Sequence, residues 1–161
     1  METARTLVLI AATLATGLIA GLMYAFSIAM MPGLARTDDR TYVGVMQQLN
    51  KAILNGWFAL SFGGAPLLTA AATVLHLGGG QGEVLPWAAA SFALCVAMLV
   101  ITFGINVPLN KGLDASGDPA AANADPAAVR ARFEARWLRW NHIRTLACIA
   151  ALGCLARALT L

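Results

Sequence analysis

LVLIAATLATGLIAGLMYAFSIAMM, residues 7–31, runs through twenty-five positions without a charged side chain. A helix needs about 20 apolar residues to cross a hydrocarbon core of about 30 Å. The run is also too long for the apolar core of a signal peptide, about 7–15 residues, and no clear cleavage site follows it. It reads as a membrane span. Three further runs of that kind follow, so the expected spans are residues 6–31, 52–77, 85–107 and 137–161. Backbone groups in lipid must be satisfied within the chain, so all four should be helices.

The composition agrees. The 161 residues are 59% hydrophobic and only 12% charged, against roughly 25% charged in a soluble domain. The net charge of +3 is small and the arginines stand beside apolar runs, so a nucleic-acid partner is not expected. Cys95, Cys148 and Cys154 all lie inside apolar runs. With no CxxC and an odd count, they read as buried reduced thiols. Trp57, Trp87, Trp137 and Trp140 fall near span ends, where interfacial aromatics gather.

The connections differ in kind. Residues 78–84, GGGQGEV, read as a tight polar turn, and residues 112–128 as an exposed loop rich in Ala, Asp, Gly and Pro. A helix should restart at Asp125–Pro126, with the aspartate as N-cap and the proline at the first helical position. Asp38 or Asp39 can cap a short helix over 38–51. Tyr42, Met46, Leu49 and Ile53 recur there on one face, which predicts an amphipathic helix at the membrane interface. The fold class expected is therefore all-α: one domain, residues 1–161, an integral membrane antiparallel four-helix bundle with an interfacial helix after the first span.

Basic residues orient it. The two long connections hold Arg36, Arg40, Lys51, Lys111, Arg130, Arg132, Arg136 and Arg139, and the opposite side holds Arg5 and Arg157. That excess places both long connections in the cytoplasm, and the expected home is a bacterial cytoplasmic membrane. Thr13, Gly17, Gly21 and Ala25 recur every four residues, and the Gly17–Gly21 pair permits close helix approach. Packing within the chain is the preferred use of that stripe, with a homo-oligomer as the alternative. Pro66 predicts a kink in the second span.

Polar side chains gather at one depth. Tyr24 and Ser27 sit near the end of the first span, Asn55 near the start of the second, Thr102 and Asn106 in the last turns of the third with Asn110 just beyond, and Asn141, His142 and Arg144 in the first turns of the fourth. In antiparallel helices these share one level, on the basic side. Thr102, Asn106 and Asn110 form one helical stripe, and Trp137, Asn141, Arg144 and Cys148 another. Polar groups in a bilayer usually face the protein interior or a cavity, which predicts a pocket there. The competing reading is that such residues only anchor helix ends, and Trp137, Arg136 and Arg139 are assigned that role. His76, on the far side, is read as structural. No two histidines share a helix face, so neither a haem pair nor a metal site is supported, and no phosphate-loop, dinucleotide or nucleophile-elbow motif occurs.

AFSIAMMPGL (25–34), MQQLNKAILN (46–55), TFGINVPLN (102–110) and RWLRWNHIRT (136–145) resemble the anthrone-oxygenase-like family of small membrane proteins. The resemblance covers nearly the whole chain, and the NVPLN and WNHIR segments are its most specific parts. One departure is that the family carries Asn-Pro at the start of the second span, where this chain has Asn55–Gly56. The resemblance implies oxidation of anthrones to anthraquinones by dioxygen, without an evident redox cofactor. Such a protein need only bind a flat apolar aromatic substrate, remove a proton and hold the anion. On this reading His142 is the first candidate base, since imidazole exchanges protons near neutrality, with Tyr24 or a water on Asn106 as the alternative if His142 points away. Arg144, Asn141, Asn106 and Asn110 donate to the developing oxyanion. Tyr24 relays a proton or orients the ring, Asn55 lies at the pocket's entry, and Trp140 with Phe26 supplies flat walls. His142 and Arg144 are two residues apart, about 200° around a helix, so both meet one ligand only near the helix end. Two rivals stand beside this: a non-enzymatic membrane subunit or binding protein for a lipid, quinone or pigment, and a redox protein holding haem or metal through His142.

Overall fold

The computed structural model describes residues 2–77 and 82–161, so most of the expected turn at 78–84 lies outside the described residues. Within them the chain is all-helical, with five helices and no strand. These are α1 (Glu2–Leu34), α2 (Asp39–Ala52), α3 (Gly56–His76), α4 (Leu85–Asp114) and α5 (Pro126–Ala158). Three of them, α1, α3 and α4, are long and apolar enough to cross a membrane. The fourth expected span, 137–161, does not stand with them. It is the latter part of a longer helix that starts at Pro126, and Asn141, His142, Arg144 and Arg157 make it more polar than the rest.

Two helix starts carry the caps foreseen for them, Asp38 accepting from the Thr41 N–H at 3.0 Å and Asp125 from Ala128, and a third, Asn55, accepts from Phe58 as a cap that was not foreseen; each occupies one of the orphan donors of a first turn. α1 packs on α3 and α5, and α4 packs on the same two. Along α5 the buried positions Phe133, Trp137, Asn141, Arg144, Cys148, Ala151 and Leu155 make one stripe at three- and four-residue steps. Gly17 helps α1 lie close to α5, with Leu152 3.7 Å from where its Cβ would be. Gly21, expected on the same face, is exposed with open space around it.

Two helices carry an irregular turn. α1 widens into a π-helical turn at Phe26–Met30, and α4 does so at Thr102–Asn106. Each closes with a bond spanning five residues, Met31 N–H to Phe26 and Val107 N–H to Thr102. A proline, Pro32 or Pro108, stands two residues after each. A proline inside a helix has no N–H to give, and its ring crowds the carbonyl four residues back. Inserting one extra residue ahead of it relieves both problems without ending the helix.

The short helix α2 corrects one expectation. Its apolar face is covered by protein instead of lying on headgroups: Tyr42, Val43 and Met46 are buried with Leu113 of α4 and with Phe133 and Trp137 of α5. Phe133 stands edge-on to Tyr42 and stacks on Trp137 at 5.9 Å, and Trp137 in turn meets Phe26. Arg130 ties the preceding linker down. It donates to the carbonyls of Ala35 and Thr37, pairs with Asp39 at 3.0 Å and Glu134 at 2.7 Å, and lies 4.4 Å over the Tyr42 ring. Burial, reinforced by Glu134 and opposed by Arg130, holds the Tyr42 phenol above its ordinary value, so the ring packs as a neutral group. Removing a buried aromatic from such a cluster costs about 3–5 kcal/mol. Phe133→Ala should therefore lower the unfolding midpoint of the detergent-solubilised protein sharply. An unchanged midpoint would mean that α2 is not held by this contact.

Candidate functional site

The two wide turns and the middle of α5 meet at one level, and Arg144 lies at their centre. It is 7% exposed. Its Nε and Nη2 both donate to Asn141 Oδ1, at 3.1 and 2.9 Å, and Nη1 donates to Thr102 Oγ1 at 3.3 Å. Its guanidinium stands 5.4 Å over the Trp137 ring. Among the described residues it makes no ion pair, since the pairs found there belong to Arg130. A full positive charge is thus buried against two neutral oxygens and an aromatic face. Such a group is costly to desolvate, and arginine suits it because its delocalised charge is weakly hydrated and stacks on aromatics.

Its supports are themselves fixed. Asn141 Nδ2 donates to Ser27 Oγ at 2.8 Å, which turns its Oδ1 toward the arginine. Ser27 lies in the wide turn of α1, bonds the Met23 carbonyl and meets Thr145 Oγ1 at 3.2 Å. Thr102 opens the wide turn of α4. Trp137 donates from Nε1 to Asn110 Oδ1 at 2.8 Å. Asn106 is wholly buried: its Nδ2 reaches the Trp137 carbonyl at 3.4 Å and its Oδ1 has no partner among the described residues.

Beside this group is a cavity of about 680 Å³, which Arg144, Thr102, Asn106 and Trp137 line. That is within the usual range for small-molecule sites, about 300–1,000 Å³. Phe26, Phe58 and Phe62 supply apolar and aromatic wall. Phe58 and Phe62 are stacked 4.9 Å apart, and Phe103 meets Phe62 edge-on. Its mouth, the exposed part of the lining, mixes polar Asn55, Lys111 and Asp114 with apolar Leu54 and Phe103. The cavity can therefore take a flat apolar molecule and hold a negative charge at its inner end.

The structure sorts the residues singled out from the sequence. Arg144, Asn106, Asn110, Asn55 and Phe26 all line the cavity. Asn141 stands directly behind, holding Arg144. Asn55 lies at the mouth as the cap of α3, with both ends of its amide already bonded to backbone. His142 is not brought to the cavity: it is exposed on the far side of α5, as its two-residue offset from Arg144 requires. Tyr24 is 48% exposed on α1 and also points away, about 100° round from the buried Met23. Trp140 is half-buried outside the cavity, with Arg139 over its ring at 5.8 Å. Trp137, assigned to the lipid boundary, is instead 2% exposed and is the aromatic wall beside the arginine. Its membership of the Asn141–Arg144–Cys148 stripe already carried that information. Lys111 and Asp114 were missed, though Asp114 continues the spacing of Thr102, Asn106 and Asn110. His76 is buried with Nδ1 2.7 Å from the Ala72 carbonyl, in keeping with a structural role. Among the described residues no group of His, Cys, Asp and Glu is placed to hold a metal ion, and the three cysteines are free.

Among the described residues the protein is all-helical, with three helices long and apolar enough to cross a membrane and an apolar-walled pocket lined by an arginine that has no counter-charge there. More particularly, the chain matches the Anthrone oxygenase family over residues 54–154, most of its length, and it belongs to that family. No curated protein and no solved structure matches it.

The buried arginine yields a stability prediction. Asn141→Leu removes two bonds to a buried charge, each worth about 1.5–3 kcal/mol, and should lower the denaturation midpoint. Arg144→Met replaces the charge with an apolar chain of similar length and should leave the midpoint unchanged or raised. If the methionine variant is the less stable of the two in a detergent unfolding series, the arginine is structural and not reserved for a ligand.

Proposed function

We propose that this protein is a membrane-embedded oxygenase that binds an anthrone-like polycyclic phenol or ketone and oxidises its methylene carbon to a carbonyl with dioxygen. The observation that carries the reading is Arg144, a cation buried in an aromatic-walled cavity without a counter-charge among the described residues. The family membership supports the same chemistry. We place the four long helices in a bacterial cytoplasmic membrane as an antiparallel bundle, with the basic connections and the cavity mouth on the cytoplasmic side.

An anthrone has an acidic CH₂ conjugated to an aryl ketone. Loss of one proton gives an aromatic enolate with its charge on oxygen. Arg144 lowers the cost of that anion by standing where the oxygen charge develops, in surroundings that screen it little. Asn141 and Thr102 keep the guanidinium aimed, so little reorganisation is needed when charge appears. The enolate carbon is electron-rich enough to give an electron to dioxygen. Coupling of the resulting pair forms a C–O bond to a peroxide anion, which takes up a proton; loss of the remaining C–H proton as the O–O bond breaks and hydroxide leaves, together one water, gives the ketone. The sum is R₂CH₂ + O₂ → R₂C=O + H₂O, with the methylene oxidised and dioxygen reduced. Phe58, Phe62 and Trp137 hold the rings. His142 and Tyr24 have no part, and a haem or metal held through His142 would lie outside this pocket.

The test is oxygen uptake with anthrone in detergent or nanodiscs. Arg144→Met should lower kcat/KM by about a hundredfold, near the 2.7 kcal/mol that one oxyanion donor supplies. His142→Ala and Tyr24→Phe should stay within about twofold of the parent protein. No uptake by the parent, together with tight binding of an anthraquinone, would make the protein a binding module. A dead His142→Ala variant would move the site.

A further inference from the structure

Enolate formation leaves the proton without a destination, and the cavity wall narrows the choice. Among the residues that line it, the groups that titrate are Arg144, Lys111 and Asp114. Arginine and lysine are cations at neutral pH, so the carboxylate is the base of the set. Asp114 also occupies a particular place. A second, polar cavity of about 510 Å³ lies beyond the mouth, between α2 and the loop after α4, and among the described residues Asp114 is the one that lines both cavities. It ends a ladder on α4: Thr102, Asn106, Asn110 and Asp114 follow at four-residue steps, and all four line the inner cavity. Exposure rises along it, from buried Thr102 and Asn106 through half-buried Asn110 to exposed Asp114.

We propose that Asp114 accepts the proton lost by the bound substrate, delivered along this ladder, and passes it to water through the polar cavity. The proposal rests on the oxygenase reading. The bond that breaks is the substrate C–H. Its electron pair stays in the enolate beside Arg144, and the proton ends on the Asp114 carboxylate. From Asn110 to Asp114 is about 6 Å of helix, at 1.5 Å per residue, so the proton crosses on cavity water beside the half-buried Asn110, the wholly buried Asn106 marking the dry end. Asp114 is held for this by Asn50, whose Nδ2 donates to its Oδ1 at 3.3 Å. The charged groups around it are Lys111 on its own helix, Lys51 on α2 and Asp118 in the loop that comes after α4.

Asp114→Asn keeps the shape and removes the base. Anthrone oxidation should fall at least tenfold in kcat with KM within about twofold, Asp114→Glu should restore it, and added formate should partly rescue the asparagine variant. A second arm does not depend on turnover. Alizarin, a hydroxyanthraquinone that changes colour on ionising, is bound to the protein and the pH is jumped upward. Its ionisation should be at least tenfold slower in Asp114→Asn than in the parent protein. Equal alizarin rates in the two proteins would overturn the proposal, as would an unchanged kcat. Failure of the parent to oxidise anthrone, with the alizarin difference intact, would remove the oxygenase reading and leave Asp114 as the proton acceptor of a phenol-binding site.

Discussion

Everything near the cavity depends on burying one guanidinium with no carboxylate beside it among the described residues. A pair would be easier to hold, because an opposite charge offsets much of the desolvation cost. Here the offset comes from neutral groups: one amide oxygen, one hydroxyl and one indole face. Those partners steady the cation without cancelling its field. A ligand that becomes negative in the cavity therefore meets a charge still available to it, in surroundings where Coulomb terms are only weakly screened.

The main chain departs from regular helix beside that arginine. Ser27 and Thr102 reach the Asn141–Arg144 pair from wide turns in two different helices, and each turn precedes a proline. Regular helices would present side chains at fixed angular steps of about 100°. One extra residue per turn changes that phase locally, so the segments before and after each turn can face different neighbours. In α1 the part before the turn packs Ile19, Ala20 and Met23 with Phe62, Met98 and Cys148, and the part after it packs Met31 with Tyr42 and Trp137. α4 divides likewise, with Met98 on one side of its turn and Leu113 on the other. Wide turns of this kind recur at functional sites for such reasons.

Three helices long and apolar enough to cross a membrane, the caps at Asp38 and Asp125, and the single polar level were legible from length, spacing and turn chemistry. So was the inward stripe of α5, because that helix is regular from end to end. What failed was the treatment of neighbouring letters as neighbouring side chains. In WNHIR the histidine and arginine are close in sequence and opposed in space, and Trp137 rather than Trp140 belongs with Arg144. A tryptophan near a basic residue looks alike as a lipid anchor and as a pocket wall, and only its helical phase distinguishes them. The apolar face of α2 is equally ambiguous, since a strip of Tyr42, Met46 and Leu49 can lie on lipid or on protein. The wide turns could not be read from periodicity at all, although the two prolines mark both places.

The distance between cation and carboxylate is itself part of the chemistry on the proposed reading. A base at the depth of Arg144 would form an ion pair with it, and the field that favours the enolate would be spent before substrate arrived. It would also bring water to the floor of the cavity, where Phe26, Phe62 and Trp137 keep the surroundings apolar. Placing the carboxylate at the mouth, two helical turns beyond Asn106, avoids both. Charge is stabilised where the site is dry, the proton is released where it is wet, and a single helix carries the groups that join the two. Dioxygen, small and apolar, needs no recognition of its own: it is soluble in lipid and in an aromatic pocket. With the anion formed and held, what the oxidation still needs is a proton for the peroxide and an acceptor for the second C–H proton, and on the proposed reading the same route to the wet mouth carries both.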